Sequence, residues 1–153
     1  MKKILSKSLE DTARIANEWL ASLSKKENEA MPVGRQALVV GLSGNLGSGK
    51  TTFTKAVAAA LGIDEIVTSP TFVIEKIYSG GPTSGWKRLI HIDAYRLESA
   101  RELEVLNFEE IVADPNNLIL IEWPENVREI LPDGALTIKC EFVSDTEREY
   151  VFE

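Results

Sequence analysis

The sequence predicts an α/β fold built on a mixed sheet of parallel and antiparallel strands. Three observations carry this. Residues 37–42 and 118–122 are short apolar runs, broken only by Gly41 and the closing Glu122, as expected of strands buried on both faces. A glycine-rich loop and then a helical pattern follow the first run directly, the strand–loop–helix order of α/β chains. Segments 72–78 and 89–93 are rich in β-formers, and the loop between them is too short to hold a crossover helix, so they form an antiparallel hairpin.

Taken in order, Ser8, Leu9, Glu10 and Asp11 form a helix N-cap box, and Leu9, Ala13, Ala16, Leu20 and Leu23 continue at helical spacing. That helix fades in the charged stretch 25–29, and a loop ends at Pro32 and Gly34. After the first buried strand, a helix runs from Lys50 to about Leu61 and stops at Gly62 in a C-cap position. The hairpin 72–78/89–93 turns through the glycine-, serine- and proline-rich loop 79–85. Leu103, Leu106 and Phe108 mark a short helix near 99–107, before the region of Ile111. After the second buried strand, 135–142 and 147–152 close the chain as a hairpin around Ser144, Asp145 and Thr146. At least one helix covers each face of the sheet.

The 153 residues fit one domain, 1–153, large enough to bury a core without disulfides or structural metal. Hydrophobic residues at 44% and charged residues at 27% exclude a disordered or fibrous chain. Cys140 is the only cysteine and His91 the only histidine, which rules out an internal disulfide and the usual zinc cages. Cys140 lies in the apolar alternation of Ile138 and Phe142 and reads as a strand residue. Met1, Lys2 and Lys3 open like a signal peptide, but Ser6, Lys7, Ser8, Glu10 and Asp11 interrupt any apolar core. No stretch approaches the roughly 18 apolar residues of a membrane span, so a cytoplasmic protein is expected. The net charge of −7 argues against nucleic-acid binding as the main task and points to protein partners instead.

Gly44, Asn45, Leu46, Gly47, Ser48, Gly49, Lys50 and Thr51 match G-x-x-x-x-G-K-[ST] at every fixed position. The glycines let backbone N–H groups converge on phosphates, and the helix N-terminus at Lys50 adds its dipole. Lys50 is expected to reach the β- and γ-phosphates and the Thr51 hydroxyl to ligate Mg²⁺. With strand before and helix after, the fold class sharpens to a P-loop NTPase-like three-layer sandwich. Such sites also need an acid at the end of a neighbouring buried strand. Asp93 and Glu122 both end apolar strands, where ligands bind in these folds. Glu122 is expected to bind Mg²⁺, and Asp93 to position the metal's water shell or the attacking water. The hydroxyls around Pro70, from Thr68, Ser69 and Thr71, suit a loop that senses the γ-phosphate or an ordinary turn. Arg96 suits either countering phosphate charge or a surface ion pair.

Four segments occur in order: Gly-Asn-Leu-Gly-Ser-Gly-Lys-Thr-Thr-Phe-Thr-Lys (44–55), Ser-Pro-Thr-Phe (69–72), His-Ile-Asp-Ala-Tyr-Arg-Leu (91–97) and Ile-Glu-Trp-Pro-Glu (121–125). The first is generic; with the other three, the chain resembles the TsaE (YjeE) family of small bacterial ATPases needed to make threonylcarbamoyladenosine in tRNA. The resemblance runs from the first helix to the last hairpin. It implies that ATP and Mg²⁺ are held by Lys50, Thr51 and the loop amides of Asn45, Leu46, Gly47, Ser48, Gly49 and Thr52. It also implies that Glu122 is the metal-binding acid, Asp93 a second residue required for activity, and Ser69 and Thr71 parts of a switch-like loop. Trp123 would lie beside the nucleotide and Thr12 would approach the adenine. Asn45 and Ser48 stand where the family usually has Asp and Ala, positions whose side chains the loop mechanism does not require. The implied partners are the proteins TsaD and TsaB, with tRNA engaged only indirectly, and hydrolysis slow until a partner docks.

Other readings are a small-molecule kinase, which would need an arginine-bearing lid that the scattered arginines do not suggest, and a non-catalytic ATP-sensing module, which would not need both acids. A GTPase lacks support because no Asn-Lys-x-Asp stretch is present.

Overall fold

The computed structural model describes residues 1–27, 36–65, 67–68, 74–80 and 85–153. Ser69, Pro70 and Thr71, with the first residues of the predicted strand 72–78, lie outside the described residues. Element order is β1 (Lys2–Ser6), α1 (Leu9–Glu27), β2 (Leu38–Ser43), α2 (Lys50–Ala60), β3 (Glu75–Ser79), β4 (Arg88–Asp93), α3 (Arg101–Glu104), α4 (Phe108–Ala113), β5 (Asn117–Glu122), β6 (Leu136–Phe142) and β7 (Arg148–Phe152). A 3-10 segment, Pro124–Ile130, kinked at Val127, joins β5 to the loop before β6.

The strands form one seven-stranded sheet in the order β1-β7-β6-β2-β5-β4-β3. Strands β6, β2, β5 and β4 run parallel, while β3, β7 and β1 pair antiparallel at the two sides. The sheet is therefore mixed, as the sequence predicts. From β2 the chain moves toward β4, and from β5 it crosses back over β2 to β6, so the carboxyl ends of β2 and β5 lie where the connections diverge. In such sheets that crevice is where ligands bind.

Both hydrophobic runs are buried on two sides because each face of the sheet is covered. Val40, Leu42, Leu118 and Leu120 pack with Ile15, Phe53 and Val57 of α1 and α2. Val39, Ile119 and Ile121 pack on the opposite face with Leu103, Phe108 and Val127. Gly62 (φ 73°) closes α2: its N–H reaches Ala59 O at 3.0 Å and the Ile63 N–H reaches Ala58 O at 3.1 Å, a Schellman pair that satisfies the last carbonyls.

Three readings are corrected. Strand β1 has no counterpart in the sequence reading; it is an edge strand that pairs with β7, Lys2 opposite Phe152 through Ser6 opposite Arg148. Ser8 does cap α1, accepting from the Asp11 N–H at 3.1 Å, yet Leu9 is 71% exposed. The buried stripe of α1 keeps the expected Ala16 and Leu20, with Leu23 packed partly buried against the core, and takes in Thr12 and Ile15 where Leu9 was expected, because the helix meets α2 on that side. The helix expected near 99–107 is only Arg101–Glu104, and the Ile111 region that follows forms a second short helix whose N-cap, Asn107, has a left-handed φ of 58°.

Candidate active site

The glycine-rich loop leaves β2 and returns into α2, whose first turn carries no acidic residue to offset its positive end. Gly49 sits at φ 101°, and a Cβ there would come within 3.2 Å of Arg148 Cγ and Tyr150 Oη. A Cβ at Gly44 would meet the Cys140 carbonyl oxygen at 2.2 Å. The loop is thus pressed onto β6 and β7, and only glycine fits at either point.

Within the loop Lys50 folds back. Its Nζ donates to Gly44 O at 2.6 Å and Asn45 O at 2.9 Å, and stands 4.4 Å from the centre of the Trp123 ring. Burial pushes the Lys50 ammonium below its ordinary value, against the pull of Glu122 and, more weakly, of Glu125 and Asp93. Trp123 holds φ 60°, a left-handed conformation rare for a side chain of this size. Its N–H donates to Leu42 O at 3.2 Å, tying the end of β5 to β2.

The predicted carboxylates end adjacent parallel strands in register, Asp93 opposite Glu122. Alternation points both toward α2, because their strand neighbours Leu89 and Leu118 belong to the core on that face. Glu122 is 4% exposed, and its Oε1 accepts from the Thr51 hydroxyl at 2.9 Å and lies 2.8 Å from His91 Nε2. Asp93 is more open; its Oδ1 accepts from the Tyr95 N–H at 3.0 Å, closing the turn after β4.

A cleft of about 490 Å³ opens over the loop and is lined by Leu46, Gly47, Gly49, Lys50, Thr51, Thr52, Asp93, Glu122 and Trp123, with Tyr95, Arg96 and Arg148. A second cleft of about 400 Å³ adjoins it and is lined in part by Leu9, Thr12, Thr146, Thr52 and Arg148, the last two shared by both. Thr12 therefore stands in the neighbouring cleft, its Oγ1 2.8 Å from Ser6 Oγ. Neither Asn45 nor Ser48 lines either cleft; the Ser48 N–H closes on Asn45 O at 3.1 Å, and Lys50 uses the Asn45 main chain.

The donor set suits a hard divalent cation: a hydroxyl and a carboxylate already adjacent, in a cleft that can admit phosphate and water. Among the described residues no cluster of three or more His, Cys, Asp or Glu could hold a metal unaided. A cation here would complete its shell from water and phosphate, the habit of Mg²⁺ rather than of Zn²⁺.

His91, which touches Glu122 without lining either cleft, and Arg148, which lines both, have no site role in the sequence reading. His91 was legible in principle, since it precedes Asp93 by two on one strand and so shares its face. Arg148 comes from β7, beyond any local pattern, and is held by donation to Ser144 O and Glu147 O at 2.5 and 2.8 Å.

Residues 6–150 match the family model described as "Threonylcarbamoyl adenosine biosynthesis protein TsaE". The chain belongs to the TsaE family. A tRNA threonylcarbamoyladenosine biosynthesis protein TsaE of Treponema pallidum is 35% identical over 147 residues, covering 96% of each chain. That of Bacillus subtilis is 43% identical over 114 residues, 74% of this chain and 68% of the relative. The crystal structure of Bacillus subtilis YdiB superposes with a TM-score of 0.71 at 32% identity, covering 99% of this chain and 83% of that one. The P-loop fold expected from the sequence is the fold of this TsaE-family chain. Among the described residues no helix is long and apolar enough to cross a membrane.

Proposed function

We propose that this chain is a Mg²⁺-dependent ATPase that serves the formation of threonylcarbamoyladenosine in tRNA, acting as one P-loop domain in the cytoplasm through the protein partners TsaD and TsaB. The observation that carries the reading is the Thr51–Glu122 contact of 2.9 Å at the start of α2, with Asp93 in register beside it. The family supports the pathway, and the charge of −7 favours reaching tRNA through proteins.

In this reading the open end of α2 and the loop amides receive the phosphates. Lys50 exchanges the carbonyls of Gly44 and Asn45 for the β- and γ-phosphates. Thr51 and Glu122 hold Mg²⁺, which supplies neutralising charge to the phosphate oxygens. Asp93 orients the attacking water, and Trp123 walls the phosphate cleft. The base enters the adjoining cleft beside Thr12, with Arg148 at the boundary. Ser69 and Thr71 belong to a loop that responds to the γ-phosphate.

Phosphate release from ATP, measured with and without Mg²⁺ and with and without the TsaB–TsaD pair, tests this. Mg²⁺-dependent release that the pair stimulates and Lys50→Ala abolishes is the expected result. Release indifferent to Lys50 would refute the ATPase assignment; intact hydrolysis that the pair never stimulates would refute the partnership alone.

A further inference from the structure

We propose that His91 is a positioning residue for the metal site: it clamps Glu122 through Oε1, jointly with Thr51, and so reserves Oε2 for the cation. This rests on the Mg²⁺-nucleotide reading above.

A carboxylate as buried as Glu122 needs hydrogen-bond partners to hold its charge. Two contacts converge on a single oxygen, Oε1: Thr51 Oγ1 at 2.9 Å and His91 Nε2 at 2.8 Å. Neither engages Oε2. An ionised carboxylate only accepts, so the hydrogen in the second contact sits on Nε2.

The other ring nitrogen makes the case specific. His91 is 0% exposed, and its Nδ1 is buried with no hydrogen-bond partner among the described residues. A hydrogen there would be buried without an acceptor, so the ring carries it on Nε2. A histidine kept only for packing would gain nothing from leaving one nitrogen unpaired and aiming the other at the site. The register explains the reach: His91 faces Leu120, and Glu122 is the diagonal neighbour on the same face of β5.

The clamp also fixes the relation between the two ligating groups. Thr51 sits on α2 and Glu122 on β5, and one shared oxygen ties them to a ring anchored in β4. Outer partners of this kind set the orientation of metal-ligating groups, and their loss typically weakens metal binding about 10- to 100-fold.

His91 is the only histidine in the chain, so untagged protein labelled with ¹⁵N in histidine reports one ring. The expected spectrum shows hydrogen on Nε2 and none on Nδ1, with the Nε2 signal shifting in Glu122→Ala. A ring protonated on Nδ1 alone, or one indifferent to Glu122, overturns the proposal without requiring any variant at position 91. The companion measurement is Mn²⁺ affinity, by electron paramagnetic resonance, of the protein bound to a non-hydrolysable ATP analogue. His91→Leu is expected to weaken Mn²⁺ about tenfold, and His91→Gln, which retains a terminal N–H, to recover most of that loss. Affinity for the analogue in chelator, without metal, is expected to stay unchanged. Unaltered Mn²⁺ affinity in His91→Leu, no recovery in His91→Gln, or an equal loss of metal-free binding each overturns this inference alone. Wild-type protein that binds no nucleotide under either condition overturns the parent reading and this one with it.

Discussion

The ends of β4 and β5 are matched in position and opposite in construction. Asp93 and Glu122 face each other in register and point to the same side of the sheet. Yet Glu122 is sealed between α2 and β4 and held by side chains from both. Asp93 looks out into the cleft and is held by a backbone N–H two residues further on, at Tyr95. The loop that Asp93 belongs to is itself tethered, with Asn126 Nδ2 donating to Ala94 O at 2.9 Å and the Tyr95 and Trp123 rings 5.0 Å apart. A carboxylate fixed by neighbouring elements keeps one geometry, as a metal ligand must. One fixed only by its own turn and open to the cleft keeps its second oxygen, unpartnered among the described residues, free to meet a water, as suits the role proposed for Asp93.

The contrast can be broken by exchanging each acid for its amide. Glu122→Gln is expected to weaken Mn²⁺ binding by about a hundredfold or more, beyond the loss of an outer partner, and hydrolysis should fall with it. Asp93→Asn is expected to lower kcat by about a hundredfold while Mn²⁺ affinity moves less than about threefold. Equal losses of metal affinity in the two variants would show that both acids are ligands and that the division drawn here is wrong.

A third carboxylate, outside the cleft, sharpens the same point at smaller scale. Glu75 on β3 has a buried Oε2 with no partner among the described residues, and burial pushes its carboxyl above the ordinary value of 4.5. A raised carboxyl binds its proton more tightly in the folded than in the unfolded chain. Stability is therefore lost as pH climbs from 4.5 through the raised value. Glu75→Gln, which does not titrate, is expected to stabilise the protein by about 1 kcal/mol near pH 7, with the gain vanishing below pH 4.5. Thermal melts at the two pH values check this; a gain that persists in acid would point to packing instead of charge.

What was legible in the sequence follows physical locality. The strands β2 and β5, the phosphate loop and the closure of α2 at Gly62 each rest on contiguous residues, and each can be read without knowing the partners. The same holds for Asp93 and Glu122, because strand ends are visible as the point where an apolar run stops. Strand β1 was not legible: only Ile4 and Leu5 in it are apolar, too few to show a period, and its justification is β7. The period of α1 held at Ala16 and Leu20 and failed at Leu9, which precedes the stretch that meets α2 and stays exposed. Arg148 and the clamp on Glu122 depend on which strands become neighbours, which no window along the chain contains.

The pairing of β1 with β7 has a consequence for how the protein acquires its function. The two walls of the cleft proposed for the base, Leu9 and Thr12 on one side and Thr146 and Arg148 on the other, come from opposite stretches of the chain. They are brought together by a strand pair that sets Lys2 against Phe152. Closing so long a loop costs more entropy than forming any local element and is slow for that reason. Helix α2 can take shape early from nearby residues, but the loop before it is pressed onto β6 and β7, and the cleft with both its walls must wait for the last long-range closure. A ligand that needed both walls of that cleft would therefore meet them together only in the finished fold.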